Sequence, residues 1–370
     1  MHGLSGSPAI PRQSGRLACC RWCGVPTVNE QRLSYKEISA MLAQSMEPLA
    51  RELLPGGRRA GAEWTAGSVA GEPGTRLSVH LHGAKAGIWK DFSENTGGDA
   101  LDLVAACMTG SSLPDAYRWA CSYLGLTADT DVTVHRAEIK KRAEQAEKEQ
   151  TEKEQANRAS ARKVWLGAQD NIMGTPVMAY LLARGIDLTS LNHVPGALRF
   201  APEHYCSEIE APLPAMLAAI TDLDGRIIAL HQTWLGQHGG QWTKAHLECP
   251  KKVRGRFSGG CIRLRKGVAG TPLNKITGSE TVAIGEGIET CLSVALACPE
   301  LRILAAVSLS NLGAVRLPDA ARNVLILADR DDAPAAKKGL QKAIDLHMQA
   351  GRDVRVAKPP KGKDFNDAIR

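Results

Sequence analysis

Apolar and polar positions alternate with two different periods in the first third of the chain. Residues 35–54 carry apolar side chains at every third or fourth position, which predicts a helix. Residues 77–82 and 87–92 alternate position by position, as half-buried strands do, and Asp99 is a good N-cap for a helix over 100–108. The pattern predicts a small β-rich module whose core contains Trp64, Leu77, Val79, Leu81, Ile88, Trp89 and Phe92.

A charged stretch separates this module from the rest of the chain. Residues 131–163 hold Glu, Lys, Arg, Gln and Ala with almost no apolar side chains, so we expect an exposed helix or a connector at a domain boundary. Strand-like patterns return over 198–200, 214–221 and 226–235, with a turn at 222–225. The middle of the chain is therefore predicted to contain a β-meander.

Positive charge is concentrated after the meander. Residues 244–266 contain a run of cations, namely Lys244, Lys251, Lys252, Arg254, Arg256, Arg263, Arg265 and Lys266. Lys and Arg bind phosphates whatever the sequence of bases. We therefore expect a positive groove for a nucleic-acid backbone. Exposed sheet edges also favour Lys, so a solvated edge is the alternative.

The last hundred residues change to buried strands that alternate with helices. The predicted strands are 281–285, 303–309, 323–328 and 354–357, and the predicted helices are 288–297 and 335–350. Strands this apolar are buried on both faces, so we expect a parallel sheet with helices on each side. In such sheets, functional groups gather at the carboxyl ends of the strands.

Carboxylates directly follow two of these strands. Glu286 follows the first strand, and Asp329, Asp331 and Asp332 follow the third. If the two strands are neighbours, the acids crowd one edge, and their repulsion costs on the order of several kcal/mol unless a divalent ion neutralises them. We expect Mg²⁺, or Mn²⁺ in its place, because a hard ion with oxygen ligands keeps several waters for a phosphate.

The order of these acidic motifs resembles one domain family. Ile284-Gly-Glu-Gly-Ile-Glu289 comes first, Asp329-Arg-Asp-Asp332 second and Gly362-Lys-Asp-Phe-Asn-Asp367 last. This combination resembles the Toprim domain shared by bacterial-type primases, topoisomerases and some nucleases. The resemblance implies that Glu286, Asp329 and Asp331 are catalytic, with Glu286 as general acid or base and all three, together with Asp332, at the metal.

Further roles follow from the same resemblance. It implies nucleotide or nucleic-acid contacts at Lys244, Lys251, Lys252, Arg254 and Lys363, and secondary acidic candidates at Glu289, Asp364 and Asp367. Primases often place another acid four residues after the glutamate, where this chain has Thr290. Either Glu289 substitutes for that acid, or a second metal ion is held weakly.

Two upstream segments resemble the parts of primases that precede Toprim. Residues 222–264 are similar to the basic catalytic subdomain of phage and plasmid primases. The Gly-Gly-Asp-Ala-Leu-Asp run at 97–102 is similar to the helix start that ends the zinc ribbon of their N-terminal module. Residues 61–99 contain no Cys, so the resemblance implies a ribbon-like module without zinc ligands.

These observations predict an α/β protein. The fold is expected to have a C-terminal Toprim parallel sheet flanked by helices, preceded by a mixed α+β basic subdomain and a small N-terminal β-rich module. The expected segments are a disordered extension over 1–34, the ribbon-like module over 35–126, a charged helical linker over 127–165, the basic subdomain over 166–275 and Toprim over 276–370.

The resemblance implies a DNA primase or primase-like replication protein of phage or plasmid type, a DNA-directed RNA polymerase acting as a nucleotidyltransferase. Its expected partners are single-stranded DNA and ribonucleoside triphosphates. The sequence contains no Gly-x4-Gly-Lys-Ser/Thr motif, so a separate replicative helicase is also expected. A metal-dependent Toprim nuclease and a non-catalytic single-strand binding protein are the alternatives.

Composition and charge narrow the choice of function and location only slightly. The formal net charge of +7 favours polyanionic partners. No apolar run reaches the roughly 18 residues needed to cross a bilayer, so we expect a cytoplasmic protein rather than a membrane protein. Cys20 and Cys23 have the spacing of half a zinc site, and His80 and His82 supply the other half only through long-range folding, so no zinc is expected.

Overall fold

The structure is a computed structural model that describes residues 32–110, 112–126, 132–191, 193–278 and 280–370. Cys20, Cys23 and nearly all of the predicted extension lie outside the described residues. The chain divides into two compact units, residues 1–148 and 149–370, and each is described by itself.

The first unit contains a five-stranded antiparallel meander, in the order β1-β2-β3-β4-β5, and four helices that precede or follow it. Its elements are α1 Tyr35–Leu42, α2 Met46–Leu53, β1 Arg58–Ala60, β2 Glu63–Ala66, β3 Leu77–His80, β4 Trp89–Asp91, β5 Thr96–Gly98, α3 Ala100–Met108 and α4 Leu113–Tyr123. The single helix predicted over 35–54 is therefore two helices, separated by a short 3-10 turn. Leu33 is buried and Ser34 caps α1, so the folded unit begins inside the segment predicted as an extension.

Asp99 begins α3 as the sequence predicts. Its carboxylate accepts hydrogen bonds from the backbone N–H groups of Leu101 and Asp102, and the Asp102 carboxylate accepts one from the Asp99 N–H. This reciprocal pair satisfies N–H groups that a helix start otherwise leaves without partners.

The predicted core of the first unit is wrong at two positions. Phe92 is 66% exposed and Ile88 is 46% exposed, whereas the other five predicted core residues are buried. Side chains alternate between the faces of a strand, and in β4 the inward positions are Trp89 and Asp91. Asp91 can be buried at this position because its carboxylate accepts hydrogen bonds from Ser93 and from the Glu94 N–H. These bonds close the turn after β4.

A long helix, α5, runs from Val132 to Gly167 through the charged stretch. Its last turns belong to the core of the second unit, where Ala161 and Trp165 are buried. The Arg256 guanidinium also pairs with Glu154 at 2.8 Å. The end of the predicted linker is thus packed, because apolar residues reappear on the helix only after about residue 160.

The second unit begins with the predicted β-meander, a sheet in the order β10-β8-β7-β6, with β9 also paired to β8. Its elements are α6 Pro176–Ala183, β6 Leu198–Cys206, β7 Ala211–Thr221, β8 Ile227–His238, β9 Gln241–Lys244 and β10 Lys251–Arg254. β8 extends to His238, three residues beyond the strand pattern that the sequence predicts over 226–235. The chain reverses at Gly239 and Gly240, where positive φ angles suit glycine.

A second sheet of this unit has the order β11-β13-β12-β14-β15. The strands and helices are β11 Ile262–Lys266, β12 Thr281–Gly285, α7 Ile288–Ala297, β13 Arg302–Ala305, α8 Leu309–Leu312, β14 Asn323–Leu327, α9 Pro334–Gln349, β15 Asp353–Ala357 and α10 Phe365–Ile369. Strands β12 to β15 are parallel as predicted, and β11 adds an antiparallel edge. β11 therefore pairs with the C-terminal sheet, although the sequence placed it in the basic subdomain.

The two sheets of the second unit share one apolar core. Met216 and Ile220 of the meander lie in the same buried cluster as Ile288 and Leu292 of α7. This packing brings the meander to the side of the parallel sheet that α7 covers. Within the described residues, no helix has both the length and the apolar character to span a bilayer.

Candidate active site

The strands that precede the acidic motifs are neighbours in the sheet, as expected, and the acids lie at one edge of it. β12 and β14 pair in parallel, with Gly285 opposite Leu327. Glu286 leaves the sheet directly after β12, and Asp329 leaves it two residues after β14. Because parallel strands share their carboxyl edge, the two side chains start from the same end of the sheet.

Glu286, Asp329 and Asp331 line one small pocket. Lys337 and Lys358 line it with them. Sequence reasoning missed both lysines, although Lys358 directly follows β15 and the same carboxyl-edge rule points to it.

The loop after β13 holds Glu286 in place. The Val307 N–H donates to the Glu286 carbonyl at 2.9 Å, and the Leu309 N–H donates to its carboxylate. Val307 has a φ of +74°, a left-handed conformation that a β-branched side chain adopts only under strain. The surrounding structure therefore imposes this geometry on the loop beside the acid.

The acids raise one another's pKa. Burial raises the pKa of Asp329 to about 6, and the nearby carboxylates of Asp364 and Glu286 add to it. Glu286 reaches solvent, yet the surrounding protein raises its pKa too, against the lowering effect of the Lys251 ammonium. Burial is the larger cause in both cases and the neighbouring carboxylates add to it, so a bound cation would stabilise the ionised forms of these acids.

The donor set fits a hydrated oxygen-loving cation. In the described part of the chain, no three His, Cys, Asp or Glu side chains converge closely enough to form a metal site by themselves. Mg²⁺ needs no such cage, because it binds through one or two carboxylates and completes its shell with water and phosphate. His80 and His82, which the sequence offers as the other half of a zinc site only through long-range folding, lie beside Glu63 and Glu47.

The secondary acidic candidates have other contacts. Asp332 points into solvent and pairs with Lys337 at 3.0 Å, and it is not among the residues that line the pocket. Asp364 caps α10 by accepting the Asp367 N–H at 2.8 Å, and the Lys363 N–H donates to the Asp367 carboxylate at 2.9 Å. Asp364 is still close enough to raise the pKa of Asp329, whereas Asp367 serves the helix start.

Glu289 is the centre of a buried network. Its carboxylate accepts the Tyr180 hydroxyl at 2.6 Å and pairs with the Lys244 ammonium at 3.0 Å. Burial favours a higher pKa, but Lys244 and Tyr180 outweigh it and lower the pKa of Glu289 to about 2. Neither Glu289 nor Lys244 lines the pocket of Glu286, so the pair joins α7 to β9 rather than extending the acidic cluster.

The run of cations is divided between two sheets. Lys251 of this run lowers the pKa of Glu286, and Lys363, which lies outside the run, lowers the pKa of Asp329. Both lysines are therefore near the acidic cluster. Lys252 lies over the Trp234 ring at 5.9 Å, and Arg254 donates to the Ser160 hydroxyl at 3.1 Å.

The last three cations of the run lie on β11, in the other sheet. Two of them have backbone partners: Arg263 donates to the carbonyls of Asp222 and Leu223, and Arg265 to that of Pro299. Sheet membership, which the sequence does not reveal, divides the run.

Comparison with known families supports the C-terminal assignment. Residues 281–370 match the Toprim domain family, and residues 155–264 match a domain of unknown function, DUF7146. The chain therefore contains a Toprim domain, as the ordered acidic motifs predict. The DUF7146 match includes the end of α5, in agreement with its packing. No curated protein sequence matches the chain.

Three primases are among the solved structures that the chain matches. The zinc-binding and RNA polymerase domains of the Aquifex aeolicus primase are 17% identical, with 90% of this chain and 81% of that chain covered and a TM-score of 0.39. A DNA primase domain from Pseudomonas aeruginosa is 16% identical, with 58% and 74% covered and a TM-score of 0.36. The RNA polymerase domain of Mycobacterium tuberculosis primase DnaG is 15% identical, with 58% and 78% covered and a TM-score of 0.37.

Proposed function

We propose that this chain is a DNA primase or primase-like replication protein that makes short RNA on single-stranded DNA by Mg²⁺-dependent nucleotidyl transfer. The observation that carries the proposal is the shared pocket of Glu286, Asp329 and Asp331 at the carboxyl edge of a Toprim sheet, with the Lys251 ammonium acting on Glu286 and the Lys363 ammonium on Asp329. The proposed partners are single-stranded DNA, ribonucleoside triphosphates and a separate replicative helicase.

Asp329 and Asp331 would hold the metal ion through their carboxylate oxygens. When bound, Mg²⁺ supplies charge neutralisation for the triphosphate and lowers the pKa of the attacking hydroxyl. Asp331 is oriented for this role by the Ala333 N–H, which donates to its Oδ1 at 2.9 Å. Its other oxygen stays available to a ligand.

Glu286 is the proposed general base. The raised pKa of its carboxyl brings it closer to neutrality, where a base is both ionised and strong enough to take a proton. Glu286 accepts the proton of the primer 3′-hydroxyl as that oxygen bonds to the α-phosphorus. The bond from this phosphorus to the bridging oxygen breaks in line, and pyrophosphate leaves.

Lysines around the pocket would bind the phosphates. Lys251 and Lys363 act electrostatically on Glu286 and Asp329 respectively, and Lys358 lines the same pocket. Their positive charge would offset the negative charge of the triphosphate. Lys252 and Arg254 alternate with Lys251 on β10, so they lie on its other face, beside Trp234 and Ser160, and would meet the template backbone there rather than the triphosphate.

The test is a synthesis assay with Mg²⁺ or Mn²⁺, labelled ribonucleotides and single-stranded DNA. Glu286→Gln and Asp329→Asn should each abolish oligoribonucleotide synthesis, while thermal melting shows a folded protein. Asp332→Asn is the matched control, because this carboxylate lies outside the pocket, and it should retain synthesis. Undiminished synthesis by both pocket variants would overturn the assignment.

The same incubation separates the proposal from its alternatives. Strand cleavage without extension identifies a Toprim nuclease. Retention of labelled DNA with neither reaction identifies a binding protein.

A further inference from the structure

A large cavity of about 780 Å³ lies along β11, at the antiparallel edge of the C-terminal sheet. It is lined by β11, the loop at 267–273, the start of β13 and the segment 193–196. Its lining shares no residue with the pocket of the acidic cluster. Arg302 in this lining pairs in register with Val282, four residues before Glu286, which places it about 13 Å from Glu286 along the strand direction.

The cavity is positively charged. Arg263, Arg265, Lys266 and Arg302 line it, and Glu300 is the carboxylate in its lining. Glu280, which lies outside the lining, pairs with buried Arg302 at 3.1 Å and compensates it. The three cations of β11 therefore exceed the lining's acid by two charges, which favours an anionic ligand.

Two of these cations are held in place before any ligand arrives. Arg263 and Arg265 each donate to backbone carbonyls, as described above. A guanidinium carries five N–H donors, so each keeps others for a ligand. Fixed cations lose little side-chain entropy on binding, which favours affinity.

The rest of the wall is apolar. Pro195, Pro272 and Pro299 line the cavity together with Val194 and Leu273. Proline rings offer flat apolar faces against which a planar heterocycle can pack. The volume is also in the range of about 300–1,000 Å³ typical of sites for drug-sized ligands.

We propose that this cavity binds a mononucleotide, with its phosphates on the Arg265 and Lys266 side and its base against the proline faces. The site is separate from the acidic pocket and does not depend on the proposed polymerase activity. An oligonucleotide backbone could use the same cations, so the test includes one.

The test measures binding of the fluorescent nucleotide mant-ADP to the full chain by fluorescence anisotropy, in EDTA so that no metal ion assists the acidic pocket. Lys266→Glu should weaken binding at least tenfold. Lys342→Glu on α9 makes the same change of net charge outside both pockets and should leave binding unchanged. Glu300→Gln should tighten binding, because it removes the acid of the lining.

Each contrary outcome has a distinct meaning. Binding within twofold of wild type in Lys266→Glu overturns the proposal, as does an equal loss in Lys342→Glu. A loss in Lys251→Gln instead assigns the nucleotide to the acidic pocket. If Lys266→Glu weakens binding of a labelled hexadeoxynucleotide while mant-ADP binding is unaffected, the ligand is a strand. If Lys266→Glu does not fold, Arg265→Gln replaces it and should also weaken mant-ADP binding. The tighter binding expected for Glu300→Gln tests the proposal independently.

Discussion

Replacing Glu289 by Gln tests whether this acid anchors the fold or belongs to the metal site. Gln has the shape of the protonated acid and can still accept the Tyr180 hydroxyl. The pKa of Glu289 falls from 4.5 to about 2 in the folded chain, and each pKa unit is worth about 1.36 kcal/mol. We therefore expect Glu289→Gln to lower the free energy of unfolding by about 3 kcal/mol at pH 7.

The pH dependence has a definite sign. A carboxyl whose pKa is lowered on folding stabilises the protein above its unfolded pKa, and that stabilisation is lost as pH falls towards the folded value. The difference between wild type and Glu289→Gln should shrink from about 3 kcal/mol at pH 7 to about 2 kcal/mol at pH 3.5. These figures are the contribution of Glu289 alone. Burial lowers the pKa of His231 to about 4 and the Glu289 charge partly offsets that lowering, so His231 opposes the trend below pH 6.5 and the two proteins are compared in a His231→Gln background.

Thermal and denaturant unfolding measure the effect. For a unit of this size, 3 kcal/mol corresponds to a fall in Tm of about 6–12 °C. Glu203→Gln replaces an exposed glutamate of the same unit and should change stability by less than about 0.5 kcal/mol. In a Lys244→Met background, Glu289→Gln should cost at least about 1 kcal/mol less, because the ion pair is already gone.

The reasoning fails if Glu289→Gln is as stable as wild type at pH 7. It also fails if this variant, while folded, loses the Mn²⁺ binding that the wild type shows by paramagnetic resonance. That second result would return Glu289 to the role of substitute for the acid missing at Thr290.

Other expectations concern separate parts of the chain. Asp99→Ala should destabilise the first unit by about 1 kcal/mol in denaturant unfolding, because two N–H groups of α3 lose their acceptor; an unchanged midpoint would contradict the capping geometry. Lys251→Gln should weaken single-stranded DNA binding and reduce the slope of log affinity against log salt by about 0.7, measured by anisotropy titrations at several salt concentrations, and an unaltered slope would exclude a phosphate contact. Cys249, exposed, should react with a thiol reagent faster than buried Cys261 and Cys291, whose thiol pKa values burial raises; peptide mapping after brief labelling checks the order, and equal labelling of all three would contradict it.

Local patterns were sufficient for most elements of the C-terminal sheet. The apolar runs at 281–285 and 323–328 closely match β12 and β14, because strands buried on both faces have little choice of residue type. The same runs placed Glu286 and Asp329 at strand ends, and the general rule for parallel sheets then put both acids at one edge.

Local patterns were insufficient where a shift of one residue in the alternation decides which side chains face the core. In β4 the alternation alone did not reveal whether Phe92 or Asp91 faces inward, because the deciding contacts come from the turn at Ser93. A shift of one position exchanges the faces of a strand, and this explains why Ile88 and Phe92 are exposed.

The amino-acid sequence by itself determined which residues can carry charge and where β12 and β14 end, because both depend on neighbours along the chain. Tertiary structure alone decided which charges meet. It paired Lys244 with Glu289, brought Lys251 to Glu286 and moved Arg263 and Arg265 to another sheet. Coulomb interactions depend on distance through space, and the pairing of sheets sets that distance independently of spacing in the sequence.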